Sequence, residues 1–444
     1  MALSGLDIYK LLPKTNCREC GFVTCLAFAM QLAKKAVSMD KCPYLSIEAK
    51  RTLAESSLPA IKLIAIGEGE NKLEVGNETV MFRHEEKFHH PPGLGFIIED
   101  NLDDSAIKKK LEKINQLKFE RIGQELKVNL IAIRQNKDKN RFVEVVKLVA
   151  ENTPLALVLM SEDLAAQEEA LKLVGVRRPL IYHATQDNLA DFAQLSKDRA
   201  VPLVVSAKEL ELLSTLTREL NNQAVTELVI DTGKKPIAEK IWDLTQIRRL
   251  ALRKSQRSLG YPVLVIVDAD DPYIETTEAA TYISKYAGIV LIKGIEVERV
   301  MALLTLRQNI YSDPQKPLQI EPRVYPVGQV TNKSPVLVTT NFSLTYYTVL
   351  AEVEASKVPS YIVSVDTEGM SVLTAWAAEK FTPEKITDSI NKFNVRERVA
   401  HNQLVIPGYV AVMSGDLEEK SGWEVVVGPK EAAGIPAFLK NLYL

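Results

Sequence analysis

The chain carries the stretch Cys17-Arg-Glu-Cys20-Gly-Phe-Val-Thr-Cys25, followed by Cys42-Pro43, and these four cysteines are the only ones among its 444 residues. The spacing C-x2-C-x4-C-x16-C lets one tight loop supply three thiolates, while the fourth comes from beyond an intervening segment. Four thiolates that converge in this way commonly hold a [4Fe-4S] cluster. The stretch therefore predicts an N-terminal iron-sulfur domain, residues 1–60, in which all four cysteines are metal ligands.

The segment that follows Cys25 is predicted to be an amphipathic helix. Its apolar residues Leu26, Met30, Ala33 and Val37 follow one another at steps of four, three and four, which is the helical period. A helix that begins at Cys25 directs the positive end of its dipole toward the loop. This arrangement suits the negative charge of a thiolate-bound cluster.

A structural zinc site and a pair of disulfides are the alternatives for the four cysteines. Structural zinc usually takes two C-x2-C pairs, and the chain has one such pair with no histidine near it. Disulfides need an oxidising compartment, whereas the first residues lack the basic flank and apolar run of a secretory signal. The pattern favours an iron-sulfur cluster in a cytoplasmic protein.

The composition indicates a globular protein of about three domains at roughly 150 residues each. Hydrophobic residues make up 46% of the chain, and 55 Lys and Arg residues against 57 Asp and Glu residues give a net charge of −2. Without a basic tract there is no electrostatic case for nucleic acid as a partner. No apolar run reaches membrane-spanning length, so no membrane partner is expected.

Residues 61–92 are predicted to form a small β connector and linker. It contains His84, His89 and His90 shortly before Pro91 and Pro92. A metal site on these histidines is one interpretation, and a solvated linker is the favoured one.

From Gly93 onward, strand-like apolar runs alternate with segments of helical period. The eight runs are Gly95 to Glu99, Val128 to Ile133, Leu155 to Met160, Leu180 to His183, Leu203 to Ser206, Leu228 to Asp231, Val263 to Asp268 and Ile289 to Lys293. Eight β/α units in succession predict a TIM (β/α)8 barrel over residues 93–310.

The strand ends of this barrel do not predict catalysis. Reacting groups in TIM barrels lie at the carboxyl ends of the strands, where the chain places Glu99, Arg134, Ser161, His183, Asp231, Asp268 and Lys293. These residues do not form a recognisable set of nucleophile, base and metal ligands. We predict a structural role for each and interpret the barrel as a docking scaffold without catalytic residues.

A proline-bearing linker over 311–330 is predicted to lead into an open α/β domain over residues 331–444. Its predicted strands are Pro335 to Thr339, Ser360 to Val365, Gln403 to Ile406, Tyr409 to Met413 and Trp423 to Val427. Ligands of such sheets bind beyond the carboxyl ends of the strands. The loops there are rich in small and hydroxyl residues, which suits a large ligand that carries amides and a phosphate.

The order of a ferredoxin-like head, a barrel and an α/β domain resembles the large (gamma) subunits of the corrinoid iron-sulfur proteins of the reductive acetyl-CoA pathway, the CO dehydrogenase/acetyl-CoA synthase system. The resemblance covers the whole chain, and Ser364 to Trp376 resembles the corrinoid loop of that family. It implies a C-terminal corrinoid-binding domain that holds cobalamin, with its cobalt, at an interface with a small barrel subunit. The implied cofactor contacts are Thr340, Tyr346, Met370, Ser371, Val372, Leu373, Thr374 near the lower cobalt face, and Ala433.

The resemblance also implies a methyl carrier that works as a heterodimer in an anaerobic pathway and is not active alone. Its cobalamin would accept a methyl group from methyltetrahydrofolate through a methyltransferase and donate it to acetyl-CoA synthase. The [4Fe-4S] cluster would return Co(II) to Co(I), with electrons from a reductive activator. Neither His183 nor His401 lies in the cobalt-binding pattern D-x-H-x-x-G, and a cobalt without an imidazole ligand is easier to reduce.

Two other classes of function remain open at this point. One is a stand-alone, pterin-dependent barrel methyltransferase to which an iron-sulfur module adds electron transfer. The other is an electron-transfer subunit that holds no corrinoid.

Overall fold

The structure is a computed structural model that describes residues 5–33, 36–46, 48–50, 53 and 59–443. The chain divides into two compact units. The first contains Met1–Lys118 and Lys127–Tyr311, and the second contains Phe119–Leu126 and Ser312–Leu444.

Among the described residues, the N-terminal part of the first unit includes two short helices. Helix α1 spans Gly5–Leu11 and α2 spans Cys25–Ala33, so α2 begins at the predicted residue. The Thr24 hydroxyl accepts a hydrogen bond of 3.1 Å from the Ala27 amide and thereby satisfies a free N–H group of the first turn. The predicted continuation of α2 toward Val37 crosses residues 34 and 35, which lie outside the described residues.

Eight parallel strands form the barrel of the first unit, and each of them coincides with a predicted strand. They are β3 (Gly93–Glu99), β6 (Leu130–Arg134), β7 (Ala156–Met160), β8 (Leu180–Ala184), β9 (Leu203–Ser206), β10 (Leu228–Asp231), β11 (Leu264–Ile266) and β12 (Ile289–Ile292). The order in the sheet is β10-β9-β8-β7-β6-β3-β12-β11. A parallel bridge between Ile230 and Val263 joins the two ends and closes the barrel.

Eight long helices follow the barrel strands and begin at the carboxyl edge of the sheet. They are α3 (Asp104–Asn115), α4 (Lys139–Asn152), α5 (Leu164–Val174), α6 (Leu189–Arg199), α7 (Leu210–Asn222), α8 (Ile237–Lys254), α9 (Pro272–Ser284) and α10 (Val297–Tyr311). The Asp residue before α3, α4, α5 and α9 accepts hydrogen bonds from first-turn amides of its helix, which explains why these helices begin where they do. None of the helices in the described part of the chain is long and apolar enough to span a membrane.

An antiparallel hairpin of β1 (Ile64–Ile66) and β2 (Leu73–Val75) shares the apolar interior of the barrel. The segment after it is fixed by the buried Glu78, which accepts hydrogen bonds from the amides of His89 at 3.0 Å and His90 at 3.1 Å. The same carboxylate pairs with Arg248 at 3.1 Å, and Arg248 lies between two aromatic rings. The predicted solvated linker is therefore packed against the barrel.

A second hairpin leaves the barrel between α3 and β6 and belongs to the second unit. Its strands are β4 (Lys118–Arg121) and β5 (Gln124–Lys127), and both residues of its turn, Ile122 and Gly123, have positive φ. A β-branched residue is strained in that conformation. Ile122 is nevertheless 7% exposed and lies in an apolar cluster of the second unit, so burial of its side chain offsets the strain.

The second unit contains a five-stranded sheet in the order β13-β15-β14-β16-β17. These strands are β13 (Val324–Val327), β14 (Val336–Thr340), β15 (Ser360–Val365), β16 (Gln403–Ile406) and β17 (Glu424–Val427), with β13 antiparallel to β15 and the other pairs parallel. Strand β13 lies inside the segment that was predicted to be a linker. Because β14 has β15 on one side and β16 on the other, the connections diverge at β14, and the crevice at its carboxyl end is the expected ligand position.

The helices of the second unit are α11 (Ser343–Ser356), α12 (Val372–Ala377), α13 (Pro383–Lys392), α14 (Ser414–Ser421) and α15 (Ile435–Tyr443). The prediction of a strand over Tyr409 to Met413 is wrong, because residues Gly408–Met413 form 3-10 turns. In those turns Val410 and Met413 are buried while Val412 is 76% exposed. Burial at a spacing of three residues fits a 3-10 helix and not a strand.

Candidate functional site

The cysteine loop is a series of tight turns. Lys14, Asn16, Arg18 and Gly21 have φ values of 59°, 50°, 67° and 86°, and the Gly21 amide donates a 2.9 Å hydrogen bond to the Arg18 carbonyl. Glycine adopts such a conformation without strain. Cys20 packs against the apolar cluster that contains Cys25, and Cys25 is the first residue of α2.

Asn16 fixes the position of Cys25 through two hydrogen bonds. Its side-chain Oδ1 accepts from the Cys25 amide at 2.8 Å, and its own amide donates to Cys25 Sγ at 3.4 Å. The first bond satisfies an amide at the start of α2, as a capping residue does. The second is the kind of N–H to sulfur contact that tunes the reduction potential of iron-sulfur clusters. Sequence reasoning did not single out Asn16, although a residue one position before a cysteine ligand was a candidate for this role.

The four cysteines are free thiols, so the structure contains no disulfide between them. Cys25 and Cys42 are buried in one apolar cluster with the helices, Cys20 is half-buried at its edge, and Cys17 is exposed. Beside them the Tyr44 hydroxyl donates a 2.7 Å hydrogen bond to Glu19 Oε1, and Glu19 raises the pKa of Tyr44. Across the described residues no three His, Cys, Asp or Glu side chains converge on a single-ion site. A cluster would space its thiolates around an iron-sulfide core.

A cavity of about 320 Å³ lies at the carboxyl end of β14 and β16, the position where the connections of the sheet diverge. Side chains of α11 and α15 and the loops after β15, β16 and β17 complete its walls. The walls are mostly apolar, and around the mouth Leu344 is 66% exposed, Leu373 46% and Tyr409 44%. Exposed apolar side chains clustered around a cavity are typical of a surface that a ligand or partner covers.

Asn341, directly after β14, holds the loop that forms one side of the cavity mouth. Its Oδ1 accepts hydrogen bonds from the Thr367 amide at 2.9 Å, the Thr367 hydroxyl at 3.0 Å and the Gly369 amide at 3.0 Å. Its Nδ2 donates to Asp366 and Gln319, at 3.2 Å each. Asn341 is 1% exposed, so water does not reach these bonds. The Asn341 side chain therefore supplies the hydrogen-bond acceptor that the buried loop amides need.

Replacement of Asn341 by alanine is expected to release this loop. The change leaves the buried Thr367 and Gly369 amides without an acceptor, at a cost of about 2 kcal/mol. Hydrogen exchange in residues 366–370, measured by mass spectrometry, should accelerate roughly thirtyfold. Asn391→Ala, at an exposed position of α13, is the matched control and should leave exchange in this loop unchanged. Equal exchange in Asn341→Ala and the unaltered protein would contradict the role assigned to Asn341.

The structure places the eight predicted cofactor contacts at different depths. Ser371, Val372 and Leu373 line the cavity. Thr374 is exposed, and its hydroxyl lies 3.0 Å from that of Ser371. Thr340 and Tyr346 are buried, and Tyr346 packs on Tyr325 with 4.7 Å between the ring centroids. Met370 packs on the core below the loop, and Ala433 is exposed in the short turn before α15.

The candidate residues at the barrel strand ends pair mainly with one another. Arg134 lies 3.4 Å from Glu99 and 3.8 Å from Asp268, and Lys293 also contacts Asp268. The Lys293 ammonium lowers the pKa of Asp268. Buried Asp231 accepts hydrogen bonds of 3.0 Å from both Tyr182 and Lys240.

Two further strand-end residues complete this face of the barrel. Ser161 binds the side chain of Gln135. His183 is mostly buried, which lowers its pKa, and its Nδ1 has no hydrogen-bond partner among the described residues.

The remaining histidines have separate neighbours. His401 Nε2 lies 3.0 Å from the Ser334 carbonyl, and its Nδ1 accepts a 3.1 Å hydrogen bond from the Gln403 amide. His84 stacks on Phe82, His89 pairs with Glu86, and His90 Nδ1 lies 2.8 Å from the Gly76 carbonyl. No group of ligating side chains in the described ranges includes these histidines.

Two family models match the chain. Residues 63–439 match the family described as "CO dehydrogenase/acetyl-CoA synthase delta subunit", and residues 12–44, which contain all four cysteines, match the one described as "Putative Fe-S cluster". Among solved structures, the dihydropteroate synthase of Thermus thermophilus aligns with a TM-score of 0.40 and 15% identity, over 57% of this chain and 100% of that one.

Full-length relatives match the chain from end to end. The "Corrinoid/iron-sulfur protein large subunit" of Moorella thermoacetica is 44% identical over 99% of this chain and 99% of its own length. The "Acetyl-CoA decarbonylase/synthase complex subunit gamma" of Methanothermobacter thermautotrophicus is 37% identical over 100% of this chain and 99% of its own length. Because these alignments include the cysteine loop, the barrel and the α/β unit, the chain belongs to the family of corrinoid/iron-sulfur protein large subunits of the CO dehydrogenase/acetyl-CoA synthase system, in which archaeal members are named gamma subunits.

Proposed function

We propose that the chain is a methyl carrier that accepts a methyl group from methyltetrahydrofolate, through a separate methyltransferase, and donates it to acetyl-CoA synthase. When bound, cobalamin would supply the cobalt that carries the methyl group. A [4Fe-4S] cluster would supply the electron that reduces Co(II) to Co(I). Family membership and the names of the relatives support this proposal.

The cavity at the diverging point of the C-terminal sheet is the observation that carries the proposal. It lies where open α/β sheets bind ligands, and its mouth is surrounded by exposed apolar side chains. A corrinoid that lies over this mouth could be covered on its other side by a second protein. The small barrel subunit is the partner proposed for that position, which would make the protein a heterodimer.

In this proposal the α/β domain of residues 331–444 binds and orients the corrinoid. Ser371, Val372 and Leu373 would contact the ring at the cavity mouth, since they already line it. Thr340, Tyr346, Met370, Thr374 and Ala433 remain predictions from the family resemblance. The neutral Thr374 hydroxyl is a poor metal ligand, and its bond to Ser371 directs it along the first turn of α12.

The four cysteines would hold the cluster in residues 1–60, and the barrel of residues 93–310 would serve as a docking scaffold. Its strand-end charges are compensated within the barrel, which supports a structural role and the absence of catalytic residues. The methyltransferase, acetyl-CoA synthase and a reductive activator are the further partners proposed, in the cytoplasm.

Metal analysis of the anaerobically purified protein tests the proposal. We expect about four iron atoms and one cobalt atom per chain, with the absorbance of both a cluster and a corrinoid. Iron without cobalt, after reconstitution with cobalamin and the small subunit, would favour an electron-transfer subunit. Methyl transfer from methyltetrahydrofolate by corrinoid-free protein would favour a stand-alone barrel methyltransferase.

Cobalt in the resting protein is expected to have no protein nitrogen ligand. Both ring nitrogens of His401 are already engaged, with the Ser334 carbonyl and the Gln403 amide, so neither offers a lone pair to a metal. Electron paramagnetic resonance of the Co(II) form should therefore show cobalt lines that are not split by nitrogen, and the His401→Ala variant should give the same spectrum. A nitrogen triplet that disappears in a His401 or His183 variant would refute this expectation.

A further inference from the structure

The barrel of the first unit contains a separate cavity of about 290 Å³ at the carboxyl end of its strands. Its walls come from the ends of β6, β8, β10 and β11, from the loop between β10 and α8, and from one face of α9. Ligands of TIM barrels bind at this end. The methyl-carrier function proposed above supplies no ligand for this space.

Most charged groups at this end of the barrel are already paired with one another. The pairs are Asp231 with Lys240, Lys235 with Asp243, and the group formed by Arg134, Glu99, Asp268 and Lys293. Opposite charges at such short distances cancel each other's field. These groups therefore do not determine which charge a ligand in the cavity would need.

Two charged side chains in the cavity wall remain unpaired. Lys234, in the loop before α8, and Glu278, on α9, form no salt bridge or hydrogen bond within the described residues. No side chain caps the first turn of α8, and Pro236 and Ile237 at its start also line the cavity. The free N–H groups and the positive dipole end of that helix thus lie beside Lys234. The cavity has a positive side at the start of α8 and a negative group on α9.

Tyr282 lies one helical turn after Glu278 on α9 and lines the same cavity. It is 3% exposed, and its hydroxyl makes no hydrogen bond within the part of the chain that the structure describes. A buried hydroxyl without a partner is unfavourable unless a ligand supplies one. Burial and the Glu278 carboxylate raise the pKa of Tyr282 to about 12, so the hydroxyl is neutral at physiological pH.

We propose that this barrel cavity binds a small zwitterion, a molecule with one anionic group and one ammonium group joined by a short chain. The anionic group lies at the start of α8 and pairs with Lys234, while the ammonium group donates hydrogen bonds to Glu278 and to the Tyr282 hydroxyl. Each unpaired group of the wall then has a partner of opposite charge or matching hydrogen-bond role. A ligand with a single charge would leave one side of the cavity unsatisfied.

Three probes of matched chain length distinguish the two sides of the cavity. The probe γ-aminobutyrate carries both charges, butyrate carries only the anionic group, and butylamine carries only the ammonium group. Ligand-observed NMR titration of the full-length protein should give γ-aminobutyrate a dissociation constant of about 1 mM or below. Butyrate and butylamine should bind roughly tenfold more weakly or worse, because each of them contacts one side only.

Single substitutions should weaken the probes selectively. Lys234→Met should lower the affinity for γ-aminobutyrate and butyrate roughly fivefold and leave that for butylamine unchanged. Glu278→Gln should lower the affinity for γ-aminobutyrate and butylamine roughly tenfold without loss for butyrate, and Tyr282→Phe should give the same pattern at roughly threefold. Lys254→Met, at an exposed position in the last turn of α8, is the matched control and should bind all three probes as the unaltered protein does.

Thermal unfolding separates ligand binding from structural damage. Tyr282→Phe removes an unpaired buried hydroxyl, so its Tm should stay the same or rise while its affinity for γ-aminobutyrate falls. Failure of the unaltered protein to bind γ-aminobutyrate, or equal weakening of all three probes in the variants, would overturn the assignment. The cobalt content should be the same in all four variants, which keeps a failure of this assignment distinct from a failure of the methyl-carrier proposal.

Discussion

Replacement of Cys42 by alanine is expected to abolish or convert the iron-sulfur cluster. Cys42 is 4% exposed and lies with Cys25 in the apolar cluster of the N-terminal helices. A water molecule or hydroxide from solvent therefore has poor access to the iron position that Cys42 would leave open. The chain contains no fifth cysteine that could substitute. Iron and sulfide analysis should show either loss of the cluster or its conversion to a form with three iron atoms, and electron paramagnetic resonance distinguishes the two.

Tyr44→Phe is the matched control for this experiment. It removes the hydroxyl that donates to Glu19 beside the cysteine loop but leaves all four thiols in place. We expect it to keep the iron content and the spectrum of the unaltered protein. An unaltered [4Fe-4S] spectrum in Cys42→Ala would show that the cluster is not held by all four cysteines.

Replacement of Thr348 by tryptophan is expected to prevent corrinoid retention. Thr348 is an exposed residue of α11 whose side chain lines the cavity, so an indole there would occupy the space without disturbing the buried core. Overlap with the ligand should reduce its affinity by at least one hundredfold, which corresponds to about 2.7 kcal/mol. The cobalt content of the purified protein should fall to a small fraction of normal, while the iron content stays the same.

Tyr347→Trp provides the comparison on the same helix. Tyr347 is 40% exposed and does not line the cavity. The Tyr347→Trp substitution therefore places an indole on the same helix but outside the cavity. Its cobalt content should match that of the unaltered protein. Full cobalt in Thr348→Trp would place the corrinoid elsewhere on the molecule.

The barrel was predictable from sequence because its strands are buried on both faces. Runs such as Leu155 to Met160 are continuously apolar, and β7 is indeed buried along its whole length. Regular spacing of eight such runs left few alternatives to a closed barrel. The cysteine spacing was equally informative, because a cluster imposes a fixed number of ligands on a short loop.

The elements that were missed carry locally misleading signals. Pro322 and Pro326 indicated a linker, but β13 is an edge strand. An edge strand tolerates proline at a position whose N–H would point away from the sheet, because no ladder hydrogen bond is lost there. Hairpin β4–β5 turns at Ile122 and Gly123, both of which have positive φ. The sequence Ile-Gly is not among the residue pairs that predict such a turn, which are mainly Asn-Gly, Asp-Gly and Gly-Gly. Asn341 follows β14, whereas the Thr367 and Gly369 amides that it binds follow β15. Sequence spacing alone does not show that these two loops meet.

The hairpin also affects how the second unit can be inherited. Residues Phe119–Leu126 are separated from the rest of that unit by the entire remainder of the barrel. A gene fragment that begins at Ser312 would therefore encode a domain without Ile122, leaving its neighbours Ile320, Tyr325 and Val327 partly uncovered. The second unit is therefore not encoded by one contiguous stretch of the gene. A mutation in the barrel segment that shortens this hairpin would alter the apolar cluster of the second unit.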